Sequence, residues 1–262
     1  MKKLIIASLA GLGLASTSAF AADLPYKAPP PPPVYSWTGC NINVGGGGGM
    51  WNQDQHEFNA AGPTTGDTTI GGRGYLGRVG VGCDYQFGGR YLLGAFADYD
   101  FMGVRGNISP VFATPAGATA PGNFTGTETE IGAWYAGGRL GYLITPTLMT
   151  YFDGGYTETR FGGVALVPSS GTAAGNFILG ANTYRGWFIG GGDEYALGLS
   201  WLPRGVFWRT EYRFAQYRSA NLPILTAAGA PTAVSLAASK ETQTITSGLV
   251  WRFNWGGYGG RY

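Results

Sequence analysis

Between Ala133 and Thr157 the chain reads AWYAGGRLGYLITPTLMTYFDGGYT, and this stretch constrains the fold more than any other. Before the joint Thr145-Pro146-Thr147, Trp134, Leu140, Tyr142 and Ile144 share one face, while Tyr135, Gly137, Arg139 and Gly141 share the other. After it, Leu148, Thr150, Phe152 and Tyr156 oppose Met149, Tyr151 and Asp153. Alternation with a period of two marks strands, and a joint this short makes them an antiparallel hairpin. Each arm has roughly 10 to 14 residues, longer than the usual soluble strand and suited to crossing a bilayer at a tilt.

Six further stretches repeat this alternation. Strand one is expected at about 38–50, with Cys40, Ile42 and Val44 on one face. Strand two, about 74–87, points Tyr75, Val79, Val81, Cys83 and Tyr85 outward. Strand three, about 91–101, does so with Leu93, Ala95, Ala97 and Tyr99. The hairpin supplies strands four and five. Strands six, seven and eight fall at about 184–197, 205–217 and 242–253, and the apolar face of the last carries Ile245, Leu249, Trp251 and Phe253. The links sort into two kinds. Gly88-Gly89, the Pro146 joint and Ser200 to Pro203 are short, whereas 52–72, 103–127, 162–182 and 218–240 are long. Such sorting is expected of an eight-stranded antiparallel transmembrane β-barrel with short periplasmic turns and four long extracellular loops. Closing the sheet leaves no unpaired strand edge in hydrocarbon. A soluble barrel would turn its polar face outward.

The N-terminus predicts export. Lys2-Lys3, the apolar run Leu4 to Leu14 and Ala19-Phe20-Ala21 form a signal peptide over 1–21, too short to be a spanning helix. Residues 22–36, with Pro29 to Pro33 in a row, read as a proline-rich periplasmic leader, because proline cannot donate to a strand ladder. The barrel domain then occupies 37–262. Without Lys2 and Lys3, the 17 basic residues fall to 15, against 15 acidic ones, so no nucleic-acid partner is implied. Charged residues make up only 12% of the chain, beside 47 Gly, 16 Tyr, 14 Phe and 8 Trp. A soluble enzyme usually carries about 25% charged side chains. The run Gly45 to Gly49 lacks the order of a phosphate-binding loop.

On the inward faces the alternation sets Arg78, Asp84, Asp98, Asp100, Arg139, Asp153, Glu194, Arg209, Glu211, Arg213 and Arg252. Opposite charges inside a narrow barrel imply ion pairs across the lumen, or else a thin water-filled path for ions or small solutes. Asp193 falls where a lipid-facing residue is expected. Either the wall carries this charge outward, or a bulge turns it inward beside Glu194. Cys40 and Cys83 are placed as cross-strand neighbours on the outward face, and two states fit them: a disulfide or a pair of free thiols against lipid. No serine–histidine–acid set converges, since the one histidine, His56, falls in a long link. One histidine and two cysteines give no clustered metal site, and no cofactor is implied.

The segments SAFAAD, WTGCNINVGG, GGRLGYLITPTLMTYFDGGY, GWFIGGGDEYALG and VWRFNW resemble the small outer-membrane porin-family proteins of alphaproteobacteria, which belong with the opacity-like and OmpA-like barrels. The resemblance covers the mature chain. It implies an eight-stranded barrel in a Gram-negative outer membrane, antigenic surface loops and the general label of porin. The implied partners are outer-membrane lipid and lipopolysaccharide, with ions or small solutes if the lumen conducts; the sequence sets no oligomeric state. The expected role is therefore a structural and surface protein of the outer membrane with weak porin activity. The other class is a surface-loop adhesin or antigenic protein, acting through loop segments such as 107–123 and 172–180.

Overall fold

A computed structural model describes residues 36–114, 122–169, 177–203 and 205–253. The signal peptide, the leader apart from Ser36, and the tail 254–262 lie outside the described residues. Twelve antiparallel strands form one sheet: β1 Gly39–Asn59, β2 Gly62–Pro63, β3 Thr68–Phe87, β4 Tyr91–Ala113, β5 Gly122–Thr145, β6 Leu148–Phe161, β7 Val164–Pro168, β8 Phe177–Leu179, β9 Asn182–Ala196, β10 Val206–Tyr217, β11 Ala220–Thr226 and β12 Pro231–Phe253. Eight of them, β1, β3, β4, β5, β6, β9, β10 and β12, make a ring that closes where β1 pairs with β12, from Cys40 opposite Phe253 to Phe58 opposite Ser235. The barrel is thus the eight-stranded one that the alternation predicts. The short β2, β7, β8 and β11 lie within the long links.

Register fixes the barrel's dimensions. A row of partners followed round the wall from Phe101 through Gly77, Gly46, Ser247, Thr210, Asp193, Thr150 and Tyr142 returns to β4 at Tyr91, ten residues away. Eight strands with this stagger tilt by about 40–45° and enclose a lumen that side chains fill.

The outward face is apolar, with Ile42, Val44, Leu93, Leu140, Phe152 and Ile189 exposed. Two aromatic belts bound it. Near the short turns, Phe87 stacks on Tyr91, Tyr91 lies 5.4 Å from Tyr142, and Trp251 lies 4.5 Å from Phe253. Farther up, Tyr99 meets Phe101, Trp134 meets Tyr156 and Trp187 meets Phe214. Eight to ten residues separate the belts along a strand, or about 20–25 Å of height, which matches a lipid-facing band. At the periplasmic end, Gly88 (φ 56°) and Gly89 (φ 75°) turn the chain in the left-handed region open to glycine.

The strands differ from expectation in extent. β1 runs to Asn59 and β4 to Ala113, so much of each long link is wall rather than loop. Beyond the upper belt the barrel meets water outside, and the apolar outward residue that signals a strand in lipid is no longer needed. Trp51, Gln53, Gln55 and Glu57 still alternate inward there, and His56 lies on β1 instead of in a loop.

Candidate functional site

The lumen holds the chemistry that the sequence singles out, arranged in layers. At the periplasmic mouth, Trp37 folds in ahead of β1. Its backbone N–H donates to Gln86 Oε1 (2.9 Å) and its indole N–H to the Pro146 carbonyl (3.1 Å), so it straps the mouth from two sides. With Leu92, Leu143, Met149, Tyr151, Phe207 and Val250 it forms an apolar plug.

Above the plug the eleven inward charges meet in two groups. In the lower group, Arg139 donates through Nε to Asp84 Oδ1 (2.6 Å) and through Nη1 to Glu194 Oε1 (3.0 Å). Arg209 Nε reaches Glu194 Oε1 at 2.9 Å. Arg252 bridges both acids, with Nη1 2.6 Å from Asp84 Oδ2 and Nη2 2.5 Å from Glu194 Oε2. Its guanidinium also lies 4.9 Å from the Trp37 ring, which joins this group to the plug.

In the upper group Arg78 holds Asp100 by a two-point fork of 2.6 and 2.7 Å and also pairs with Glu211. Arg213 reaches Asp98 Oδ2 (2.6 Å), Asp153 Oδ2 (3.2 Å) and Glu211 Oε1 (2.7 Å). Its face stands 4.8 Å from Phe96, 5.1 Å from Tyr135 and 5.2 Å from Phe188. Tyr151 donates to Glu211 Oε2 at 2.6 Å and ties the upper group to the plug. All eleven residues are at most 7% exposed. The cavity beside Arg78 and Arg209 measures about 10 Å³, space for no more than one water.

Glycines make the room. Across the strands, Asp84 faces Gly94, Asp98 faces Gly80, and Asp153 faces Gly190. A Cβ on Gly94 or Gly80 would collide with the facing carboxylate oxygen, and one on Gly190 with Asp153 Oδ1 and with Arg213. The partner of each acid is set by register, which local sequence does not display.

Above the charges, Trp51, Leu76, Phe96, Met102, Tyr135, Phe161 and Phe188 belong to a second apolar layer. Lys240 enters it, 3.9 Å from the Phe161 ring centre, and pairs with Glu128 at 2.8 Å. A third layer, including Ile108, Val111, Phe124, Leu166, Phe177, Ile224 and Leu236, fills the extracellular end. Glu57 lies beneath this cap, accepting the Phe112 N–H at 2.5 Å. Burial pushes its carboxyl up to about 7, against the opposing pull of that hydrogen bond. Gln53, Glu57, Glu128, Glu130 and Lys240 are lumenal residues that sequence reasoning misses. Their signal is the bare two-residue spacing Gln53, Gln55, Glu57 and Glu128, Glu130.

Two features of the wall had alternatives. Cys40 and Cys83 stand opposite each other and are joined as a disulfide. Asp193 keeps regular register between Thr150 and Thr210, so no bulge turns it inward. It is exposed on the outer wall two residues above Tyr195, near the periplasmic boundary, where a charge costs least. His56 Nδ1 lies 3.0 Å from Asp67 on the outside of the barrel, away from the lumenal groups.

No protein-family model matches the chain. A 31 kDa outer-membrane immunogenic protein of Brucella melitensis biotype 1 is 31% identical over 223 residues, spanning 80% of this chain and 87% of that protein. The protein of the same name in Brucella suis biovar 1 matches to the same extent. Among solved structures, the outer membrane protein OprG of Pseudomonas aeruginosa covers 83% of this chain and 97% of its own, with a TM-score of 0.52 and 11% identity, a likeness of fold.

Proposed function

We propose that this chain, which belongs to the family of the 31 kDa outer-membrane immunogenic proteins of Brucella, is a closed barrel of the outer membrane that acts through its outer surface and carries no solute stream. One observation carries the reading: the charge groups are packed between an apolar plug at the periplasmic mouth and two apolar layers above. A conducting lumen needs a continuous wet path, and desolvated ion pairs filling the cross-section leave none. The extended wall supports the rest of the reading. It carries the end of β4, at Ala113, about 25–30 Å beyond the upper belt, clear of the headgroups, as an antigenic or adhesive surface requires. The role is non-enzymatic, consistent with a single histidine held against Asp67 on the outside.

The test is single-channel conductance of the refolded mature protein in a planar bilayer, beside Trp37→Ala. The native barrel is expected to be silent and the variant, with its mouth unstrapped, to flicker open. Steady openings of the native protein, with an ion preference that shifts when Arg209 and Arg213 are replaced, would establish a pore instead.

A further inference from the structure

Among the described residues six arginines point out of the barrel wall, and their distribution is one-sided. Arg90 sits at the periplasmic end, on the hydroxyl of Tyr142. Arg73, Arg105, Arg160, Arg185 and Arg218 are all exposed and stand just above the upper aromatic belt, at the level of the outer-leaflet headgroups. Two of them, Arg73 and Arg105, are direct cross-strand partners. Like charges placed opposite one another destabilise a sheet unless an anion lies between them.

The densest part of this collar is a groove of about 570 Å³ on the outside of the barrel, lined by Tyr156, Arg185, Trp187, Gln216 and Arg218 among others. Arg185 and Arg218 are adjacent across β9 and the end of β10, where the Arg218 N–H donates to the Arg185 carbonyl at 2.9 Å. Glu158 holds Arg185 through Nε at 3.0 Å, and its carboxylate also takes the Tyr156 hydroxyl and the Trp134 indole N–H. Arg185 is therefore positioned at the groove by one carboxylate. Arg160 and Arg218 form no ion pair among the described residues. Of the two arginines that line the groove, Arg185 is held by Glu158 and Arg218 has no ion pair among the described residues, so the lining keeps positive charge beside an indole and a phenol ring at the lipid boundary.

We propose that this groove binds a phosphorylated, acylated lipid of the outer leaflet, of the lipid A class. A phosphate sits between Arg185 and Arg218, and an acyl chain descends along Trp187. Guanidinium forks match phosphate oxygens in pairs, which explains arginine here in a mature wall with no outward lysine among the described residues. The aromatic floor suits a lipid better than a free ion. The proposal is independent of the closed-lumen reading, since the groove is on the opposite face of the wall.

The test uses the mature protein folded in dodecyl maltoside and fluorescent bisphosphorylated lipid A, with binding read by anisotropy. Unlabelled lipid A is expected to displace the probe, while dephosphorylated lipid A and a hundredfold higher concentration of inorganic phosphate fail to do so. R185Q/R218Q should weaken binding by at least about tenfold, and R90Q should leave it unchanged. Gel mobility without heating confirms that each variant is folded, and the competition arm stands on the native protein alone. Equal affinity in R185Q/R218Q, an equal loss in R90Q, displacement by dephosphorylated lipid A, or displacement by inorganic phosphate at lipid-like concentrations would each overturn the assignment.

Discussion

Glu194→Gln is the substitution that most directly probes a dry lumen. Glu194 is fully buried and accepts N–H groups from Arg139, Arg209 and Arg252. Replacing its charge with an isosteric amide keeps the volume but leaves Arg139 and Arg252 sharing Asp84, and takes from Arg209 the carboxylate it pairs with. Breaking a buried ion pair costs about 3–5 kcal/mol, because the surviving charge stays out of water. At a denaturant slope of about 2 kcal/mol/M, a loss of about 4 kcal/mol lowers the urea midpoint by about 2 M. Glu241→Gln is the control. Glu241 lies on the outward face with the Asn52 amide 2.9 Å away, and its loss should cost less than about 1 kcal/mol. The assay is urea titration of protein refolded into lipid vesicles, read by Trp fluorescence and by gel mobility without heating. If Glu194→Gln moves the midpoint no further than Glu241→Gln, water solvates these arginines, the lumen is wet, and the case for a sealed barrel falls.

Two further outcomes follow from the same geometry. Replacing Cys40 and Cys83 with serine should lower the urea midpoint by an amount equivalent to about 2–4 kcal/mol, because the bond closes a loop with a sequence separation of 43; identical gel mobility of native protein with and without reductant would show that the thiols are unbonded. Glu57 titrates near 7 in the folded wall, above its ordinary 4.5, so the folded state binds the proton more tightly and the extracellular cap is most stable at acid pH. That stability declines as pH rises from about 4.5 through 7. Hydrogen exchange over 57–65 and 107–114, corrected for intrinsic rates, should thus be slower at pH 5 than at pH 8, and Glu57→Gln should flatten the difference; a native protein equally protected at both would refute it.

The part of the fold inside lipid was legible because lipid imposes a rule on every second residue. Ile42, Val81, Leu140 and Ile189 had to be apolar, and their parity located Arg78, Arg139 and Glu194 on the other face. Above the belt water relaxes that rule. Asn52, Asp54 and His56 satisfy an outward face as well as any loop would, so the alternation places the end of β1 near Met50, whereas it runs to Asn59. Trp37 was illegible as a plug for a different reason. It precedes the first alternation, and its partners Gln86, Pro146 and Phe207 are distant in sequence. The acid–glycine pairs were hidden in the same way, since Gly80 marks a seat for Asp98 only once β3 and β4 are in register.

Register is also where the buried charges have their largest physical effect. A buried ion network adds little stability over a well-packed apolar core, so the eleven charges are poorly explained as a source of strength. Their effect on misfolded alternatives is much larger. A slip of one residue turns every side chain of a strand to the other face. For β10 it would move Arg209, Glu211 and Arg213 into the lipid-facing wall at about 2–4 kcal/mol for each arginine near the midplane, somewhat less for the acid, and leave Asp98, Asp153 and Glu194 short of partners. The combined penalty approaches the whole stability of an ordinary domain. A slip of two between β3 and β4 restores parity but sets Asp84 opposite Leu92 or Phe96 instead of Gly94, so its carboxylate meets a side chain instead of space. Charges and glycines together therefore disfavour slipped registers of β10 and of β3 against β4, and the native register lets eight strands close without an edge.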